Sequence, residues 1–180
     1  MKIDFQISES RQISATLGDN VLNGAMLAAG IGLIAIFILM IVFYGGMGIA
    51  ASLALMIYVI LYVAILAIFP GVQLTFPGIA GIILSIGMAV DANVVIFERI
   101  KDEYRNGKRV KAAVDSGFKR AVITVLDSNV TIIIASVVLW IFCSGSIKGF
   151  AITLGIGVLV SLFTAIFVPR GLMAVLNPFG

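Results

Sequence analysis

The chain alternates long apolar runs with short polar breaks. Five runs of roughly 20 residues can be read along it, at about 21–44, 49–69, 77–100, 121–142 and 147–168. A helix of 20 residues is about 30 Å long, the thickness of the hydrocarbon layer of a bilayer. The runs are apolar all round rather than striped, which excludes a soluble bundle, and they lack the alternating ten-residue segments of a membrane barrel. The pattern predicts an all-α polytopic membrane protein with five crossing helices.

The breaks between runs predict how the helices are joined. Gly45-Gly46-Met47-Gly48 carries no charge, so the first two helices are antiparallel neighbours. Pro70-Gly71 stops the second helix, Pro77 is suited to the first turn of the third, and Pro169-Arg170 closes the fifth. Ahead of the first run, Ile3, Phe5 and Ile7 alternate with Lys2, Asp4 and Gln6, a strand period. Residues 1–20 are therefore expected to be a remnant of an extracytoplasmic domain with its linker, a disordered terminus being the alternative, and 21–176 the transmembrane domain. Val110, Ala113, Val114 and Phe118 recur at helical spacing in the polar segment, so a short amphipathic helix is expected within a loop over 101–120, its basic side chains towards lipid headgroups or a cytosolic partner.

Composition supports this reading: 61% of the residues are hydrophobic and 12% charged, with a mean hydropathy of +1.18. Eight of the twelve basic residues fall in 99–120, which places that loop in the cytoplasm by the positive-inside rule. Counting crossings from there puts the N-terminus outside and the C-terminus inside. The net charge of +3 is thus a topology signal, and nucleic acid is not an expected partner. There is no histidine, and Cys143 is the single cysteine, so neither an internal disulfide nor a His or Cys metal site is expected, nor any cofactor.

Candidate chemistry begins with Asp91, a carboxylate inside the third apolar run. An ionisable group at that depth is expensive and marks function by default. Asp127 is the second. Asp91 lies eight residues from Arg99 and Asp127 seven from Arg120, about 12 and 10 Å along a helix, so the two sit at similar depth on the cytoplasmic side of the midplane. Thr124 and Thr131 share a face with Asp127, whereas Asp91 has only Gly87, Met88, Val94 and Val95 at the equivalent positions, which makes it the less well compensated. Arg99 and Lys148 stand at the ends of their runs and no lysine or arginine lies in the apolar interior of any of the five, so Asp91 is either protonated or paired with a cation from another subunit. Proton handling is the functional expectation for both aspartates; the alternative is a structural hydrogen bond between helices. Asn93 is expected to be structural, and Glu98, beside Arg99, to form a solvated ion pair or a proton entry point. Gly149, Thr153, Gly157 and Ser161, with Ala165, form a small-residue seam for close helix packing. The aspartate contexts, Ala-Val-Asp and Val-Leu-Asp, fit neither half of an intramembrane aspartyl protease dyad, and no enzyme activity is expected.

The stretches PGIAGIILSIGMAVDANVVIFERIKDEYRNGK, LDSNVTIIIASVVL and GSIKGFAITLGIGVLVSLFTAIFV resemble the membrane part of the SecD branch of the SecD/SecF protein-export family, in the RND superfamily. The resemblance covers about Arg11 to Val168, and GMAVDANVVIFERI is its most specific part. It implies a five-helix RND-type bundle forming half of a pseudo-symmetric SecD–SecF pair, with a first helix and a large external domain preceding this sequence, as in SecD or the SecD half of a fused SecDF. It further implies a bacterial-type inner membrane, SecF, the SecYEG channel, YidC and a preprotein as partners, and proton-motive force as the energy source. Asp91, in the DAN motif, would be the proton-transporting aspartate, Asp127 a second candidate, and SecF the source of the missing cation. An RND-type transporter of small molecules or lipids, or a scaffold subunit, is the competing reading.

Overall fold

The structure, a computed structural model, describes residues 15–69, 72 and 75–175, with side chains over 23–69, 72 and 75–168. The strand expected at Ile3–Ile7 lies outside the described residues. Five helices follow one another: α1 Ala15–Tyr44, α2 Gly46–Ile68, α3 Phe76–Arg105, α4 Val110–Phe142 and α5 Ser146–Val175. All five contain a span long and apolar enough to cross a membrane. Their outward faces are aliphatic, as at Ile123, Val130, Ile134 and Ile141 of α4. Such a continuous apolar coat is stable only against lipid, where every backbone polar group must be satisfied within the helix itself.

The helix ends differ from the expected bounds in physically sensible ways. The helix α1 begins at Ala15, inside the segment read as a linker, and α5 continues through Pro169 to Val175. The polar segment 101–120 holds no separate surface helix. Its first residues extend α3 to Arg105, and from Val110 onwards it forms the opening turns of α4. Gly107 is the reason for a break this short: it adopts φ 86°, which glycine reaches without strain, so the chain can reverse between Asn106 and Arg109. Gly45, at φ 54°, makes the even tighter reversal between α1 and α2. At the start of α3, Thr75 caps the helix by accepting a hydrogen bond from Gly78 N at 3.2 Å.

The chain divides into two compact units at Ala35 and Ile36. In the first, Gly24 and Ala28 are exposed. In the second unit, α3 is the central element and packs against α2, α4 and α5. Towards the end of the bundle that carries Gly107 the core is apolar: Ile96, Phe97 and Ile100 of α3 meet Phe118, Ala121 and Val125 of α4, Met40 and Ala51. Towards the opposite end it turns polar, with Thr153, Ser85 and Tyr62 fully buried. Tyr62 Oη donates to Thr153 O at 2.8 Å. Lipid tails are as apolar as leucine, so the helices are held by close contact and by such bonds, each contributing about 0.6 kcal/mol.

Candidate functional site

Helix α3 carries Asp91 about four turns from its apolar start at Phe76, and the packing of α3 on α4 decides what the carboxylate meets. Small residues allow a close crossing: a Cβ added at Gly117 of α4 would stand 2.7 Å from Ile100 Cα of α3. Farther along the same crossing the helices leave a cleft of about 80 Å³. Asp91 lines it from α3, Thr124, Ser128 and Asn129 line it from α4, and Ala92 and Val125 form its apolar floor. Asn129 is buried and donates from Nδ2 to Val125 O at 2.7 Å. Ser128 donates to Val125 O at 3.1 Å and Thr124 to Arg120 O at 3.5 Å. All three polar side chains are therefore tied back to their own helix. Each hydroxyl can rotate, so Thr124 and Ser128 could turn a proton towards a carboxylate on the far wall.

Asp91 itself is exposed, although its neighbours Ala92 and Asn93 are buried. Among the described residues no lysine or arginine lies within ion-pairing distance of it. Asp127 is exposed as well and does not line the cleft, nor does Thr131. The residue after Asp127, Ser128, faces Asp91 instead. The structure thus brings Thr124 to Asp91 across the helix pair, where shared faces along α4 had suggested Asp127 as its partner. Ser128 and Asn129 join that cleft, and the two aspartates do not converge.

The remaining site residues are placed as follows. Asn93 points away from the cleft into the bundle interior. Glu98 pairs with Lys101, one turn on, at 3.6 Å, both side chains being about a third to a half exposed, and Arg99 is not its partner. On α5, Thr153 is fully buried, its hydroxyl lying 3.0 to 3.2 Å from the carbonyls of Gly78, Gly149 and Phe150. Gly157 faces Ser85 and Tyr62, and Ser161 is buried. A much larger groove of about 790 Å³ opens beside Trp140 and Lys148, whose ammonium sits 5.0 Å from the indole, but no carboxylate lines it.

One charged group escaped the sequence reading. Glu103, in the last turn of α3, is buried and accepts from both Lys108 Nζ at 2.6 Å and Arg120 Nη1 at 2.8 Å. It clasps the α3–α4 reversal shut. The signal available was a glutamate five residues before a lysine with Asn106-Gly107 between them, a spacing that folds the two together.

Residues 1–178 match the family described as protein export membrane protein SecD/SecF, C-terminal. The protein translocase subunit SecD of Acidaminococcus fermentans is 47% identical over 98% of this chain and 42% of its own length. That of Synechocystis sp. is 50% identical over 95% of this chain and 36% of its own. This chain therefore spans well under half the length of these curated relatives. The crystal structure of SecDF from Thermus thermophilus, a translocon-associated membrane protein, superposes with a TM-score of 0.86 at 39% identity, over 92% of this chain and 23% of that one. SecDF in a super-membrane-facing form gives 0.82 over 88% of this chain and 22% of its own, also at 39% identity. The bundle is of the helical type found in those structures.

Proposed function

We propose, since the chain belongs to the SecD/SecF protein-export membrane protein family, that it forms part of a complex using proton-motive force to help preproteins cross and leave the Sec channel. One observation carries the mechanism: Asp91 stands exposed at mid-membrane depth, faced by hydroxyl and amide groups and, among the described residues, by no cation. An ionised carboxylate left facing hydrocarbon costs several kcal/mol, so this face is covered by protein or water. A carboxylate there can take a proton from one side and release it to the other. Each elementary charge moved through 100 mV yields about 2.3 kcal/mol, enough to bias a conformational equilibrium by roughly fiftyfold.

The covering partner supplies the cation that this chain lacks; in this reading it is SecF, with SecYEG, YidC and a preprotein completing the assembly in a bacterial inner membrane. The basic 99–120 segment lies in the cytoplasm, the N-terminus outside. Asp127, on the other face of α4, is a second proton-binding candidate, with Thr131 beside it on that face. Thr124, Ser128 and Asn129 position the proton at Asp91.

Replacing Asp91→Asn in the complete complex tests this directly. Proton flux should fall to background, and preprotein export to the level of a complex lacking this subunit. Export at the wild-type rate would overturn the reading.

A further inference from the structure

The groove beside Trp140 has no part in the aspartate chemistry, and its dimensions follow from the residues that line it. Helix α5 gives it Lys148, Ile152, Ile156 and Leu159, at the three- and four-residue spacing that keeps side chains on one face. Lys148 and Leu159 are separated by about 16 Å along a helix, and half the hydrocarbon thickness of a bilayer is about 15 Å. The groove therefore runs the depth of one leaflet. Its second wall is formed by Val137 and Trp140 of α4, and α4 and α5 cross closely at its floor, where a Cβ added at Gly155 would lie 3.1 Å from Ser136 Oγ. Ser136 donates back to Ile133 O at 2.9 Å, so the wall below the rim presents hydrocarbon.

Charge is confined to the rim. Lys148 stands in the first turn of α5, where the unpaired N–H groups already carry partial positive charge and a cation is disfavoured. No acidic residue shares that turn, no carboxylate lines the groove, and among the described residues Lys148 makes no ion pair. Its ammonium lies instead 5.0 Å from the centre of the Trp140 ring, an aromatic residue of the kind that sits at the boundary of lipid and water. Positive charge at the mouth of a leaflet-deep apolar slot calls for a ligand with an anion at one end and hydrocarbon at the other.

We propose that this groove binds one anionic phospholipid from the leaflet at the end opposite Gly107, its phosphate at Lys148 Nζ and one acyl chain along Ile152, Ile156 and Leu159. A zwitterionic lipid fits less well. Its ammonium would need a carboxylate, which the rim lacks, or the indole face, which Lys148 already covers. Trp140 and Leu159 are 48% and 57% exposed, so the lipid enters sideways from the bilayer without any opening of the bundle. The site depends on charge and groove shape alone, and is the same whichever end faces the cytoplasm and whether or not Asp91 carries protons.

Quenching of Trp140 fluorescence by brominated lipid tests this in the full-length protein within its complex, reconstituted into phosphatidylcholine vesicles. Subtracting the signal of Trp140→Phe isolates the one indole. A minor share of brominated phosphatidylglycerol should quench it several-fold more than the same share of brominated phosphatidylcholine. Lys148→Gln should make the two lipids equal, and Lys148→Arg should keep the preference. Ile152→Phe, which fills the groove and leaves the ammonium in place, should weaken it. Equal quenching by the two lipids in the wild-type protein would overturn the proposal, and so would quenching by neither, the result expected if a protein segment covers the groove. A preference that survives Lys148→Gln, or is unchanged in Ile152→Phe, would overturn it too.

Discussion

Asp91 and Asp127 are chemically identical, and their surroundings differ. Asp91 has two rotatable hydroxyls and an amide across a cleft of about 80 Å³, whereas Asp127 lies outside it. The hydroxyl of Thr124 is only weakly held, at 3.5 Å from Arg120 O, so turning it towards an ionised Asp91 sacrifices little. A hydrogen bond to a charged group contributes about 1.5–3 kcal/mol. Thr124→Val keeps the shape of the side chain and removes that donor. In the assembled complex it should slow proton flux about tenfold, the equivalent of roughly 1.4 kcal/mol. Asp127→Asn should slow it less than Asp91→Asn, and the same flux assay ranks all three. A Thr124→Val complex that pumps at the wild-type rate would show that the hydroxyl never turns.

At the scale of elements, the contact that sets this cleft is the crossing of α3 over α4. Gly117 sits where a Cβ would be 2.7 Å from Ile100 Cα and 2.8 Å from Ile100 N, backbone atoms that cannot swing aside. Gly117→Ala must therefore push the helices apart, a loss of about 1–3 kcal/mol. The expected result is a lower melting temperature for the purified chain. Gly87→Ala, where a Cβ would meet nothing within 4 Å, should produce no loss. The helices themselves were legible from the sequence because a bilayer demands about 20 apolar residues per crossing, and each run satisfies that demand separately. The crossing was not. Spacing along one helix says that Thr124 shares a face with Asp127, but not which neighbouring helix that face meets; only the Gly117 contact turns Thr124 and Ser128 towards Asp91. Likewise the run of charges over 99–120 reads as a solvated loop until Gly107 folds it back. Only then does Glu103 find Lys108 and Arg120 and close the helical hairpin.

The molecule as a whole has two chemically distinct ends, and its proposed work depends on which faces the cytoplasm. One end gathers Lys101, Glu103, Lys108 and Arg120 around the Gly107 reversal. The other carries Trp140 beside Lys148, with Thr75 Oγ1 donating to Ser146 O at 3.4 Å to join the start of α3 to that of α5. Cys143, the sole cysteine, lies at this second end, half-buried, just past α4. It makes a built-in reporter of orientation. If the positive-inside rule governs this chain, a membrane-impermeant maleimide should label Cys143 in intact spheroplasts. In a Cys143→Ser background, Lys108→Cys should be labelled only after the membrane is opened. The reverse pattern would put the Glu103 clasp outside and would place Asp91 nearer the external face than the cytoplasmic one. Protons driven inward would then have the short path to Asp91 from outside and the long path from Asp91 into the cytoplasm, the reverse of the proposed arrangement, so this labelling experiment bears on the mechanism as directly as substitution of the aspartate.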